Sequence, residues 1–99
     1  MDESAITVRY AKAVFSLAKE SDQLSTLKKD AELIAAVCSQ STDFSRFLKN
    51  PVVKTSEKIK IIHLIFKEKI SELSLNFLTL MTQNKREEFI PEVCRNILS

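Results

Sequence analysis

The chain has 99 residues, 44% of them apolar and 28% charged, with no glycine and no tryptophan, which is the balance of one globular domain rather than a disordered segment. Lacking glycine, it can form neither a Walker loop nor a dinucleotide-binding turn, which argues against nucleotide chemistry. Fifteen basic and thirteen acidic residues leave +2, a weak field, and the excess lies wholly beyond residue 50.

Six helical segments can be read in chain order. Ala5 to Glu20 carries two apolar stripes, Ala11, Val14, Phe15 and Ala18 on one side and Ile6, Tyr10, Ala13 and Leu17 on another. A helix with two apolar faces needs two partners. Ser21 and Asp22 read as the cap of the second segment, in which Leu24, Leu27, Ala31, Ile34 and Cys38 recur at steps of three and four. The polar run from Cys38 to Asp43 ends it. Phe44, Phe47 and Leu48 then form one apolar turn that stops at Asn50-Pro51, because proline disfavours helix in the residue before it.

Thr55 or Ser56 is the expected cap of the fourth segment, with Ile59, Ile62 and Phe66 in one row and Ile61 and Ile65 in the adjoining one. From Ile70 to Asn84, Leu73, Phe77 and Met81 mark one stripe of the fifth segment, which carries more apolar surface than one core contact needs. Leu75 and Leu78 fall on its flank, and Asn76, Leu80 and Gln83 on yet another side. Phe89, Ile90, Val93, Cys94, Ile97 and Leu98 fit a sixth helix if Pro91 falls in its first turn. No stretch alternates with period two, so the expected fold is all-α, a compact six-helix bundle occupying residues 1–99 as a single domain without an internal boundary.

Candidates for chemistry are few. Cys38 and Cys94 stand far apart in sequence without a CxxC pairing, and His63 is the single histidine, so no metal site is expected. Both cysteines lie on apolar stripes and read as reduced, buried thiols rather than a disulfide. Glu87 and Glu88 are consecutive and point apart on a helix, and His63 has no nucleophile motif near it, so a catalytic role is not expected, nor is a cofactor. Lys54, Lys58, Lys60, Lys67 and Lys69 form a basic run, read first as a solvated face and alternatively as the surface of a small nucleic-acid-binding domain; a helical adaptor for another amphipathic peptide is a further alternative.

The surplus apolar surface lies on the first and fifth helices. Two readings remain for it: additional core, or the walls of a groove that receives an amphipathic helix. Several stretches bear on this choice. They are Arg9-Tyr10-Ala11-Lys12-Ala13-Val14-Phe15, Leu48-Lys49-Asn50-Pro51-Val52-Val53 with Lys58, Ile61 and Ile62, then Asn76-Phe77-Leu78, Asn84-Lys85-Arg86 and Ile90-Pro91. In this order they resemble the N-terminal domain of the delta subunit of F-type ATP synthases, called the oligomycin-sensitivity-conferring protein in mitochondria, over nearly the whole chain.

That resemblance implies a six-helix bundle at the top of the catalytic head, a non-catalytic stator component that couples proton-driven rotation to ATP synthesis. The implied partner is the N-terminal helix of the alpha subunit, held between helices one and five. By position, Tyr10, Ala13, Asn76 and Leu80 match family positions at that contact, and helical spacing adds Ile6, Leu17, Thr79 and Gln83. The family also has a second domain that engages the stalk b subunit. The chain ends before it, so that domain is expected to be missing here. The resemblance further implies a monomeric domain, peripheral on the cytoplasmic face of a bacterial plasma membrane, with neither nucleic acid nor membrane insertion.

Overall fold

Helix ends in this chain must be built without glycine, and the solution recurs. The computed structural model describes residues 3–99, which form α1 (Glu3–Glu20), α2 (Leu24–Gln40), α3 (Thr42–Lys49), α4 (Thr55–Phe66), α5 (Glu72–Gln83), a 3-10 turn (Glu87–Phe89) and α6 (Ile90–Leu98). No strand occurs among the described residues. The all-α six-helix reading therefore holds. At the end of α1, Gln23 N–H donates to the Ala18 carbonyl at 2.7 Å and Asp22 N–H to that of Lys19 at 3.3 Å, with Asp22 at φ 59°. α5 ends the same way: Arg86 N–H reaches the Met81 carbonyl at 2.8 Å, Lys85 N–H reaches that of Thr82 at 3.0 Å, and Lys85 has φ 60°. These are Schellman closures whose left-handed position is usually glycine.

Two expected caps move accordingly. Ser21 and Asp22 close α1 instead of opening α2, with the Ser21 hydroxyl donating to the Leu17 carbonyl at 2.9 Å. Lys54, not Thr55 or Ser56, occupies the N-cap of α4, without a side-chain cap bond. Serine does cap elsewhere: Ser41 Oγ accepts from Phe44 N–H at 3.1 Å and Ser71 Oγ from Ser74 N–H at 3.2 Å. Pro91 falls in the first turn of α6, where its missing N–H costs nothing.

α2 packs against α6, which also receives α1, while α4 lies against α5 and α5 touches α2. The core between them is built from Val14, Ala18, Leu27, Ala31, Ile34, Leu48, Ile62, Phe66, Leu78, Met81, Ile90 and Val93. Phe44 meets Phe66 edge-on at 5.9 Å between centroids, tying α3 to α4. On α5 the buried face is Ser74, Leu75, Leu78, Met81 and Thr82. Of the stripe Leu73, Phe77 and Met81, Met81 lies on this face and Leu73 and Phe77 are half-buried, while the flank residues Leu75 and Leu78 are buried. The radius of gyration, 12.5 Å, is that of a folded chain of this length.

Polar groups inside are bonded across helices. Asp30 on α2 is buried, and its Oδ2 accepts three bonds: from Ser71 N–H at 2.9 Å, Ser71 Oγ at 2.7 Å and Ser74 Oγ at 2.7 Å. One carboxylate thus fixes the start of α5. Lys58 was read as part of a solvated basic face, but its side chain is only 4% exposed. Its Nζ donates to the Leu48 carbonyl at 3.0 Å and to Glu87 Oε2 at 2.6 Å, joining the end of α3, α4 and the 3-10 turn. Burial of a lysine in this way requires its charge to be paired, and Glu87 supplies the pairing.

Candidate functional site

The second stripe of α1 is the feature whose fate decides between extra core and open groove. Ala11, Val14 and Ala18 are sealed inside, as is Thr7, while Ile6 and Tyr10 are half-buried and Ala13 and Leu17 are exposed. Opposite them on α5, Leu73 and Phe77 are half-buried and Asn76, Leu80 and Gln83 are exposed. Leu17 is 54% and Leu80 48% exposed, large apolar side chains that this chain's own core does not cover.

α1 and α5 take their main packing from other helices, α1 from α6 and α2, α5 from α4 and α2. Side chains bridge the seam between them. Tyr10 meets Phe77 edge-to-face at 6.0 Å, and Asn84 Nδ2 donates to the Tyr10 hydroxyl at 3.0 Å. Further along, Leu17 shares a hollow of about 430 Å³ with Leu73, Asn76, Phe77 and Leu80, rimmed by Ser21, Gln23 and Glu72. Because Tyr10 meets the end of α5 and Leu17 its beginning, the two helices run antiparallel along the seam.

Three of the eight expected partner-binding residues, Leu17, Asn76 and Leu80, thus line one hollow. Tyr10 continues the same seam by one further contact. Ala13 lies on the exposed side of α1 between Tyr10 and Leu17, where its methyl leaves room for a close approach. Ile6 is one turn before Tyr10, and Gln83 one turn after Leu80 on the outer flank.

Thr79 is directed elsewhere. Its hydroxyl donates to the Leu75 carbonyl at 2.9 Å and lies 2.9 Å from His63 Nε2 on α4. Sequence reading did not place Phe77 and Leu73 at the seam, because their spacing groups them with Met81, which the core buries.

The remaining candidates for chemistry are occupied by structure. Cys38 and Cys94 are free and buried, and burial pushes their thiols up to about 11 and about 12, with Cys38 adding to the rise at Cys94 and Arg95 opposing it at both. Among the described residues no group of three or more His, Cys, Asp or Glu converges as metal ligands do. Lys58 is withdrawn from the basic run, leaving Lys54, Lys60, Lys67 and Lys69 at the surface.

Comparison with known proteins gives the family. Residues 6–99 match the family model described as ATP synthase delta (OSCP) subunit. The ATP synthase subunit delta of Halothermothrix orenii is 32% identical over 98 residues, covering 99% of this chain and 51% of its own length. That of Alkalihalophilus pseudofirmus is 37% identical over 93 residues, covering 94% of this chain and 51% of its own length. The chain therefore spans about half the length of these relatives. A chain in the cryo-EM structure of the Toxoplasma gondii mitochondrial ATP synthase hexamer superposes with a TM-score of 0.81 at 30% identity, over 89% of this chain and 49% of that one.

Proposed function

The chain belongs to the ATP synthase delta (OSCP) subunit family, and on that premise we propose that its α1–α5 groove holds the N-terminal helix of an alpha subunit in the peripheral stalk of an F-type ATP synthase. The observation that carries this reading is the pair Leu17 and Leu80, half exposed on two antiparallel helices that leave a furrow between them. An amphipathic helix with apolar residues three and four apart fills such a furrow. Tyr10 and Phe77 give its floor an aromatic edge, Ala13 lets the partner backbone come close, and Asn76 offers a hydrogen bond at the rim.

The task is mechanical, and no group in the groove is asked to do covalent chemistry. A stator tie holds the catalytic head against rotor torque, so slow dissociation matters more than fast encounter. A contact burying on the order of 1,500 Å² is compatible with nanomolar affinity when its anchors are well packed. The part of the relatives' length that this chain does not span would engage the stalk b subunit. The position proposed is peripheral, on the cytoplasmic face of a bacterial plasma membrane; no helix among the described residues is long and apolar enough to cross one.

The test is titration of the domain with a synthetic peptide of the alpha-subunit N-terminus from the same genome. Saturable binding is expected, and Ala13→Asp, which puts an unpaired charge in the furrow, should weaken it by several kcal/mol in order of magnitude. The control is Lys28→Asp at an exposed site on α2. Absence of saturable binding, or equal binding by Ala13→Asp, would remove the proposal.

A further inference from the structure

Beyond its apolar floor, the furrow has ends of opposite sign among the described side chains. Arg9 and Glu20 are exposed on α1 and eleven positions apart, which is three helical turns, so they share one line along the helix about 16 Å from end to end. Angular position puts that line on the outer flank of the stripe formed by Tyr10, Ala13 and Leu17. On α5, Glu72 stands in the first turn and is the one charged residue lining the apolar hollow. Lys85 and Arg86 are exposed immediately past its last turn, next to the Asn84 that bonds Tyr10.

The antiparallel run of the two helices puts like charges at the same end. Glu72 lines the hollow where Leu17 meets Leu73 and Glu20 follows Leu17 by about one turn; at the other end Lys85 and Arg86 follow Asn84 and Arg9 precedes Tyr10. The macrodipoles of α1 and α5 oppose one another at each end, so the side-chain charges set the sign there. The separation exceeds the screening length of about 8 Å at physiological salt, and each end therefore acts on its own part of a ligand.

From this we infer that the groove selects the direction of its helix: a partner lies with its basic residues against Glu20 and Glu72 and its acidic residues beside Arg9, Lys85 and Arg86. This rests on the docking reading above and adds a requirement to it. Apolar contacts alone accept a helix in either direction, because the spacing of three and four looks the same from both ends. The charges break that symmetry at little cost to affinity, since rim charges govern orientation and encounter more than tightness.

The experiment uses the alpha-subunit N-terminal peptide and two charge-reversed forms of this chain, Glu20→Lys/Glu72→Lys and Arg9→Glu/Lys85→Glu. All four positions are at the surface, and retained helicity is checked by circular dichroism. Each reversed form should bind about tenfold more weakly at low salt, with the difference shrinking in 0.5 M salt. A peptide whose basic residues are changed to glutamate should regain affinity for Glu20→Lys/Glu72→Lys. A nitroxide on Lys19→Cys, beside Glu20, should broaden resonances from the basic end of the bound peptide and spare the other. Peptide that binds the reversed forms as tightly as the native one, or that is broadened equally at both ends, would overturn the directional inference while leaving docking intact. No binding to the native chain would overturn both.

Discussion

Glu87→Gln tests whether the Lys58 ion pair acts as a buried charge or as a screened surface contact. In the native chain the Lys58 ammonium, 4% exposed, has two partners, Glu87 Oε2 at 2.6 Å and the Leu48 carbonyl at 3.0 Å. The amide removes the compensating charge and leaves a cation in the interior with neutral acceptors only. Removing one partner of a buried pair costs about 3–5 kcal/mol, against about 0–1 kcal/mol for an exposed one. A domain of this size has about 5–15 kcal/mol of stability in all, so the substitution should consume about a fifth of it or more. In urea this appears as a lower midpoint at unchanged slope, and on heating as a fall in Tm on the order of 20 °C. The Lys58→Met/Glu87→Leu double variant should recover most of the loss, because replacing both charges leaves nothing uncompensated. A cost below about 1 kcal/mol for Glu87→Gln would refute the argument.

Three further outcomes can be measured on the same footing. Asp30→Ala strips an acceptor from Ser71 N–H, Ser71 Oγ and Ser74 Oγ together, and urea unfolding should show a loss of about 3 kcal/mol, with Asp30→Asn costing less. Lys85→Gly relieves a left-handed residue at the end of α5 and should stabilise by about 1 kcal/mol in thermal melts; Asp22→Gly should gain less, since a short polar side chain tolerates that conformation better. The raised thiols of Cys38 and Cys94 mean that the unfolded chain releases their protons first. Stability should therefore be unaffected by them below pH 9 and fall between pH 9 and about 11 to 12, at up to about 1.4 kcal/mol per pH unit per thiol. Cys38→Ala/Cys94→Ala should lose that part of the alkaline slope.

Helix number and approximate extent were legible because α2, α4 and α6 each bury one face, and a single face leaves a clean period of 3.6. The pattern misled where hydroxyls are buried. Ser74 and Thr82 look polar in the sequence, yet Ser74 Oγ bonds Asp30 and Thr82 Oγ1 donates to the Leu78 carbonyl at 2.8 Å, so both sit in the core of α5. Counting only apolar letters left several apolar sides on α5 without deciding which one the core takes, and Leu73 and Phe77 border the groove. Lys58 misled for another reason: its partner Glu87 is 29 positions away, and nothing local announces such a pair. At the site, the exposed side of α1 was readable because two apolar stripes on one helix exceed what one core contact absorbs. That Thr79 turns toward His63 was not, because a threonine near a groove and one facing a neighbouring helix differ by a fraction of a turn.

The antiparallel setting of α1 and α5 has a bearing on force. A coil seated lengthwise in the furrow and pulled along its own axis loads the contacts at Tyr10, Ala13, Leu17 and Leu80 simultaneously, as a lap joint is loaded in shear. Pulled upward from one tip, the same coil peels away one turn at a time, each contact failing alone. A groove loaded in this way would be strong in one direction and weak in the other with an identical set of interactions, and the angle at which a tether left it would govern how long the joint lasted.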